Sequence, residues 1–164
     1  MVENLAPFFP SNPEIVRMML RLARTSKDDV VYDLGCGDGR VLITAVKEFR
    51  AKKAVGYEMR PELYRETLNK VMEIGLGGRI VLYNEDLMRA DLREATVITV
   101  YLTTDGNEKL RPKLMKDAIR GTRIVSHDFT FNNWKPNAIE EWNGHTLYLY
   151  TVPDSYNAPG STWS

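Results

Sequence analysis

The chain has 164 residues, with 22 basic and 22 acidic side chains, a formal net charge of zero, 43% hydrophobic residues, one cysteine and two histidines. That length and composition suit one soluble globular domain with a real core, and the balanced charge excludes a broad basic footprint of the nucleic-acid-binding kind. No run approaches the ~18 apolar residues of a membrane span, the N-terminus lacks the basic start and apolar centre of a signal peptide, and the lone Cys36 forms no intrachain disulfide; the expected setting is the cytoplasm.

Ser11 or Asn12 is placed to cap a first helix with Pro13 in its first turn, and Ile15, Val16, Met19, Leu20 and Ala23 share one face. Residues 30–34 read as a buried strand, followed by a glycine-rich turn and a helix marked by Val41, Leu42, Ala45, Val46 and Phe49. A second strand over 54–58 leads to a helix that starts at Pro61, carries Leu63, Leu68, Val71 and Met72, and stops at Gly75–Gly78. A third strand spans 79–83. The apolar run 96–102 has the continuous character of a strand buried on both faces. Residues 106–120 predict a helix in which Pro112 sits in the first turns or causes a kink. A fifth strand spans 123–126, and 139–142 with 145–152 predict a terminal antiparallel pair. The last dozen residues are rich in Pro, Gly, Ser and Asn, so the domain is expected over 1–152 and a flexible tail over 153–164. Alternation of strands and helices predicts an α/β fold: three layers, a mostly parallel sheet, and ligands at the carboxyl ends of the strands.

The chemistry gathers at those ends. Residues 30–40, VVYDLGCGDGR, run from strand into helix through Gly35, Gly37 and Gly39, leaving no side chains where a ligand must approach the backbone. The dinucleotide pattern G-x-G-x-x-G is not met, because Arg40 stands where the third glycine belongs, and no G-K-[ST] follows to grip phosphate. Glu58 closes the second strand, where a carboxylate accepts both ribose hydroxyls of an adenosine. Asn84, Glu85 and Asp86 close the third, with oxygens suited to the exocyclic amine of adenine. Acidic residues ending three strands in order fit S-adenosylmethionine (SAM), a cofactor without phosphate.

With these motifs the chain resembles the seven-strand, Rossmann-like (class I) SAM-dependent methyltransferases. It is more narrowly similar to the protein lysine N-methyltransferases of archaea, with mitochondrial relatives and a distant likeness to the non-SET histone lysine enzymes. Carrying the resemblance are Pro7-Phe8-Phe9-Pro10-Ser11, DLGCGDGR at 33–40, GYE at 56–58, NED at 84–86, VYLTTD at 100–105, and RIVSHDF with Trp134 and Pro136. It implies a seven-stranded sheet with an antiparallel terminal hairpin. It also implies methyl transfer from SAM to lysine amines of proteins over a broad substrate range, chromatin-type DNA-binding proteins among them, by a monomer. The implied donor-binding set is Phe9, Pro10, Ser11, Asp33, Gly35, Cys36, Gly37, Glu58, Met59, Asp86 and Leu87; Tyr101, Thr103 and Thr104 shape the acceptor channel.

A lysine acceptor must first lose a proton, at a cost on the order of 4–5 kcal/mol at pH 7; a desolvating, aromatic-edged channel lowers it. The sequence Tyr-Leu-Thr-Thr-Asp at 101–105 lacks the N/D-P-P-Y pattern of amide and adenine N-methyltransferases. RNA or small-molecule methylation, and SAM binding without turnover, are the alternative functions. Each motif also has a plainer reading: close packing for the glycines, a small turn residue at Cys36, a solvated Glu85, sheet-end packing for His127 and Asp128, and a solvated face for Arg17, Arg21 and Arg24. With only His127 and His145 in the chain, a histidine-rich metal site is excluded and no motif supports a carboxylate one, so no metal is expected.

Overall fold

A computed structural model describes residues 11–156. The chain runs α1 (Pro13–Leu22), β1 (Val30–Leu34), α2 (Arg40–Lys47), β2 (Lys53–Tyr57), α3 (Pro61–Glu73), β3 (Ile80–Tyr83), β4 (Val97–Val100), α4 (Thr104–Asp117), β5 (Arg123–His127), β6 (Ala138–Trp142) and β7 (His145–Thr151). The strands form one seven-stranded sheet in the order β3-β2-β1-β4-β5-β7-β6. β1 to β5 pair in parallel, while β7 runs antiparallel between β5 and β6. The three-layer α/β expectation and its terminal hairpin are therefore met. Strand order reverses between β1 and β4, which opens a crevice beyond their carboxyl ends.

Period-two alternation sorts the sheet's side chains between its two faces. Val31, Val97, Val125, Leu147 and Leu149 pack under α1 and α2. Tyr32, Leu34, Ile98, Val100, Ile124 and Tyr150 face the opposite layer, where Leu110 and Leu114 of α4 meet Phe131, Trp134 and Tyr156. Asn12 caps α1 by accepting from the Glu14 N–H at 2.8 Å. On the outer side of α1, Arg17 pairs with Glu14 and Glu48, and Arg21 with Glu14, so these arginines lie on an ion-paired solvated face.

Three expectations shift. Helix α4 starts at Thr104, two residues early, because the Thr103 hydroxyl accepts from the Gly106 N–H at 3.0 Å and caps it; Pro112 thus lies inside the helix, on its exposed side, rather than in its first turn. In α3, Met72 is 62% exposed, and the buried partner of Val71 is Thr67. The tail expected from 153 is packed through Tyr156: Asp154–Tyr156 form a 3-10 turn, the Tyr156 ring lies 4.6 Å from that of Trp134, and its hydroxyl donates to Leu114 O. One aromatic residue outweighs the polar composition around it, which composition alone does not reveal.

Gly56 sets the spacing between β2 and the turn after β1. A Cβ there would lie 2.5 Å from Leu42 Cδ1 and 2.7 Å from Cys36 Sγ. Gly56→Ala is expected to destabilise the chain by about 1–3 kcal/mol through overpacking. Urea denaturation measures this, and an unchanged midpoint would show that Cys36 and Leu42 yield freely.

Candidate functional site

The turn after β1 is held by backbone first. The N–H groups of Gly35 and Cys36 both donate to Tyr57 O at 2.9 Å, tying the turn to the end of β2. Gly37 and Gly39 take left-handed conformations, with φ of 55° and 80°. Among the described residues, a Cβ on Gly37 would meet nothing within 4 Å, so with respect to them this glycine faces open space at the strand ends. Below it, the Thr67 hydroxyl donates to Gly37 O at 2.8 Å. Sequence reasoning passes over Thr67; a threonine within an apolar helical stripe is the signal that could find it.

Two carboxylates flank the turn. Glu58 is 3% exposed; its Oε1 accepts from the Gly37 N–H at 3.1 Å, and its Oε2 accepts from Arg60 N and Nε at 2.9 and 2.8 Å. Burial works against its charge, but the hydrogen bonds from Arg60 and Gly37 prevail and its pKa lies below the ordinary carboxylate value. Asp33 is buried in the centre of the sheet. Desolvation raises its pKa to about 7, assisted by the charges of Glu58 and Asp38 and opposed by the Thr99 hydroxyl, 2.9 Å from Oδ1. At the end of β3, Asn84 donates to Glu58 O, and Asp86 Oδ1 accepts from Met88 N at 3.0 Å, starting the 3-10 turn that buries Leu87. Met59 is half-buried beside Glu58. Cys36 is buried and its thiol pKa is pushed well up by desolvation and the nearby carboxylates, as suits an inert turn residue.

This arrangement fits SAM. Open space over Gly37 admits a ligand against the backbone, and the carboxylates of Asp33, Glu58 and Asp86 suit a cofactor that is cationic at its sulfonium and amine. Glu58 follows Gly37 by 21 positions, the separation at which an acidic residue reaches a ribose in doubly wound folds.

Across the crevice, β4 is followed at once by Tyr101, whose ring stacks on His127 with centroids 3.9 Å apart and on Phe129 at 6.4 Å. Burial first and the Asp128 charge second raise the Tyr101 pKa, so its phenol stays neutral. Burial holds His127 neutral too: desolvation and His145 lower its pKa against the pull of Asp128. Thr103 and Thr104 are exposed at the start of α4, the former committed to its cap. Ser11 Oγ lies 2.9 Å from His127 Nδ1, while Ser11 O accepts from Arg40, itself paired with Asp38. Ser11 therefore bridges the glycine turn and the end of β5. Phe9 and Pro10 lie outside the described residues. His145, which spacing alone does not connect with the site, reaches His127 and Asp128 through the β5–β7 pairing.

The family model for the ANTKMT methyltransferase domain matches residues 33–138. A protein-lysine N-methyltransferase of Saccharolobus islandicus (strain REY15A) is 46% identical over 150 residues, a match covering 89% of this chain and 93% of that protein. An adenine nucleotide translocase lysine N-methyltransferase of Mus musculus is 28% identical over 149 residues, covering 91% of this chain and 64% of the relative. Among solved structures, an RNA methyltransferase from Salinibacter ruber in complex with S-adenosyl-L-homocysteine has a TM-score of 0.86 at 39% identity, over 89% of this chain and 95% of that one.

The two buried carboxylates respond differently to removal of charge. Glu58→Ala should weaken SAM binding roughly 10- to 100-fold by calorimetry, the loss of hydrogen bonds to a charged group; unchanged affinity would remove Glu58 from the site. Asp33→Asn keeps an acceptor for Thr99 but removes the buried charge. Because the folded pKa of Asp33 is raised above its unfolded value, its contribution to stability is full below about pH 4 and is lost as pH rises through about 7. Without SAM, the variant should gain on the parent between pH 4 and 8, by up to about 4 kcal/mol; denaturation curves with a pH-independent difference would contradict the shift.

Proposed function

The chain belongs to the ANTKMT methyltransferase-domain family, and from that footing we propose how it uses its site: Asp33, Gly35, Cys36, Gly37, Glu58, Met59, Asp86 and Leu87 hold SAM, and Tyr101 with Thr103 and Thr104 lines the path of an incoming lysine. The enzyme methylates lysine side chains of proteins with SAM as donor. Support for the acceptor path comes from the aromatic wall of Tyr101, His127 and Phe129, which stands across the β1–β4 crevice from the acidic strand ends.

Bound SAM supplies a methyl group already activated by its sulfonium, so no residue has to activate the donor. The task of the chain is alignment and exclusion of water. On the donor side, the turn at Gly35–Gly37 is tied to Tyr57, Glu58 and Thr67, which fixes the position of anything resting on it. On the acceptor side, the half-buried ring of Tyr101 stands beside the crevice, neutral and backed by the buried, neutral imidazole of His127 stacked against it. Such a desolvating surface disfavours an ammonium and favours the neutral amine, reducing the cost of deprotonating the lysine.

Thr103, Thr104 and Asp105 are all exposed, so the rim of the acceptor path is open. An open rim suits exposed lysines on many proteins better than an enclosed small molecule. We infer a broad substrate range that includes chromatin-type DNA-binding proteins, acted on by a cytoplasmic monomer. The single cysteine, a buried thiol, agrees with a reducing compartment.

A second reading, RNA as acceptor, is favoured by the likeness to the Salinibacter ruber RNA methyltransferase. One experiment separates the two: incubation with labelled SAM and a cell extract, followed by protease or nuclease digestion and mass spectrometry. Protein methylation predicts protease-sensitive label on lysines of many unrelated proteins, reduced at least tenfold by Tyr101→Ala. Label removed by nuclease would establish the RNA reading, and label on one sequence context alone would refute the broad range.

A further inference from the structure

Three potential ligand atoms converge where β5 ends and β7 begins. His127 Nε2 lies 3.0 Å from His145 Nδ1, His145 Nδ1 lies 3.1 Å from Asp128 Oδ2, and Asp128 Oδ2 lies 3.4 Å from His127 Nε2. We propose that His127, Asp128 and His145 form a three-ligand site for a divalent transition-metal ion of the zinc class, with a further coordination position open to solvent.

The triangle has the size a metal requires. An ion about 2.0–2.1 Å from each atom of a tetrahedral set spaces those atoms about 3.3 Å apart, and an octahedral face spaces them about 2.9 Å apart; the three edges fall across that range. Two imidazoles and one carboxylate select Zn²⁺, Co²⁺ or Fe²⁺ over Mg²⁺ and Ca²⁺, which take oxygen ligands.

Two of the ligands are also held from behind, as outer-shell partners hold ligands in metal sites. Ser11 Oγ lies 2.9 Å from His127 Nδ1; with the proton on Nδ1 donated to that oxygen, Nε2 keeps its lone pair for the centre of the triangle. The other Asp128 oxygen, Oδ1, accepts from the Thr146 N–H at 3.0 Å, and the Asp128 N–H donates to Thr146 O at 2.7 Å, fixing the carboxylate against β7. These bonds leave three lone-pair atoms facing one another. A proton on His145 Nδ1 can serve only one of its two neighbours well, whereas an ion serves all three. His127 is buried, but the side chains of Asp128 and His145 are 25% and 38% exposed, which gives an ion access from solvent. Through Ser11 and through Tyr101, stacked on His127, the ion would tie the approach to α1 and the end of β4 to the hairpin.

The chain holds two histidines and one cysteine, the latter buried, so adventitious binding has few alternatives. The test uses the full, untagged chain after chelator treatment. Titration with Zn²⁺ by calorimetry should give one equivalent at micromolar affinity or tighter. Co²⁺ should produce the intense visible absorption of a four- or five-coordinate ion, a signature that needs no variant. His145→Ala and Asp128→Asn should each lower Zn²⁺ affinity at least tenfold, and Ser11→Ala about tenfold by freeing the His127 tautomer; circular dichroism establishes that each variant is folded. Absence of heat with Zn²⁺ at 100-fold excess, a Co²⁺ spectrum matching the aqueous ion, or binding that survives both ligand variants would overturn the site and leave the triad as a hydrogen-bonded relay.

Discussion

The close approach of the turn after β1 to the end of β2 is the constraint on which the rest of the carboxyl edge depends. It exists because Gly56 has no side chain where Cys36 and Leu42 pack. That contact lets the N–H groups of Gly35 and Cys36 converge on Tyr57 O, which in turn brings Gly37 within reach of Glu58. Thr67 then closes the underside of the turn from α3. A glycine in a strand interior weakens the strand locally; here it positions two strands, two helices and a carboxylate around one open space.

Electrostatics at this edge are set against stability. Asp33 and Glu58 are both buried near the same turn, yet their environments drive them apart. Glu58 is compensated by Arg60 and a backbone N–H and stays ionised, while Asp33 has the Thr99 hydroxyl to set against full desolvation and is pushed toward neutrality. A cationic donor is the natural complement to such a pair. Burying charge without a full partner is the kind of local expense that proteins carry at functional sites.

The acceptor side follows another logic, being built from aromatic faces and a hydrogen-bonded cluster rather than from charge. Tyr101, His127 and Phe129 come from the ends of β4 and β5, which parallel pairing sets side by side. His145 and Ser11 approach the same imidazole from the hairpin and from the start of α1, so His127 is a junction of four segments. At the amino ends of the strands the polar cluster is of a different kind: Asp29 accepts from Ser26, Thr96 and Arg123 and joins β4 and β5 to the loop before β1, away from the crevice.

What the sequence by itself determined was local in origin. Alternating apolar periods announced the strands and helices, and the run from Asp33 to Arg40 announced a strand–turn–helix with a ligand over it. Glu58 and Asp86 were legible because each closes an apolar strand, and in a parallel sheet all such ends lie on one edge. Tertiary structure decided the rest. Nothing near Thr67 shows that its hydroxyl meets Gly37 O, nothing near Thr103 shows that it caps a helix two residues earlier than the apolar pattern suggests, and Tyr156 sits in a segment whose composition reads as a loose end. His127 and His145 are 18 positions apart on strands that pair antiparallel, and only the register of β5 on β7 places their nitrogens at 3.0 Å. Periodicity along a chain records which face a residue takes; which distant residue it meets there is set by strand register and by the packing of separate segments into one core.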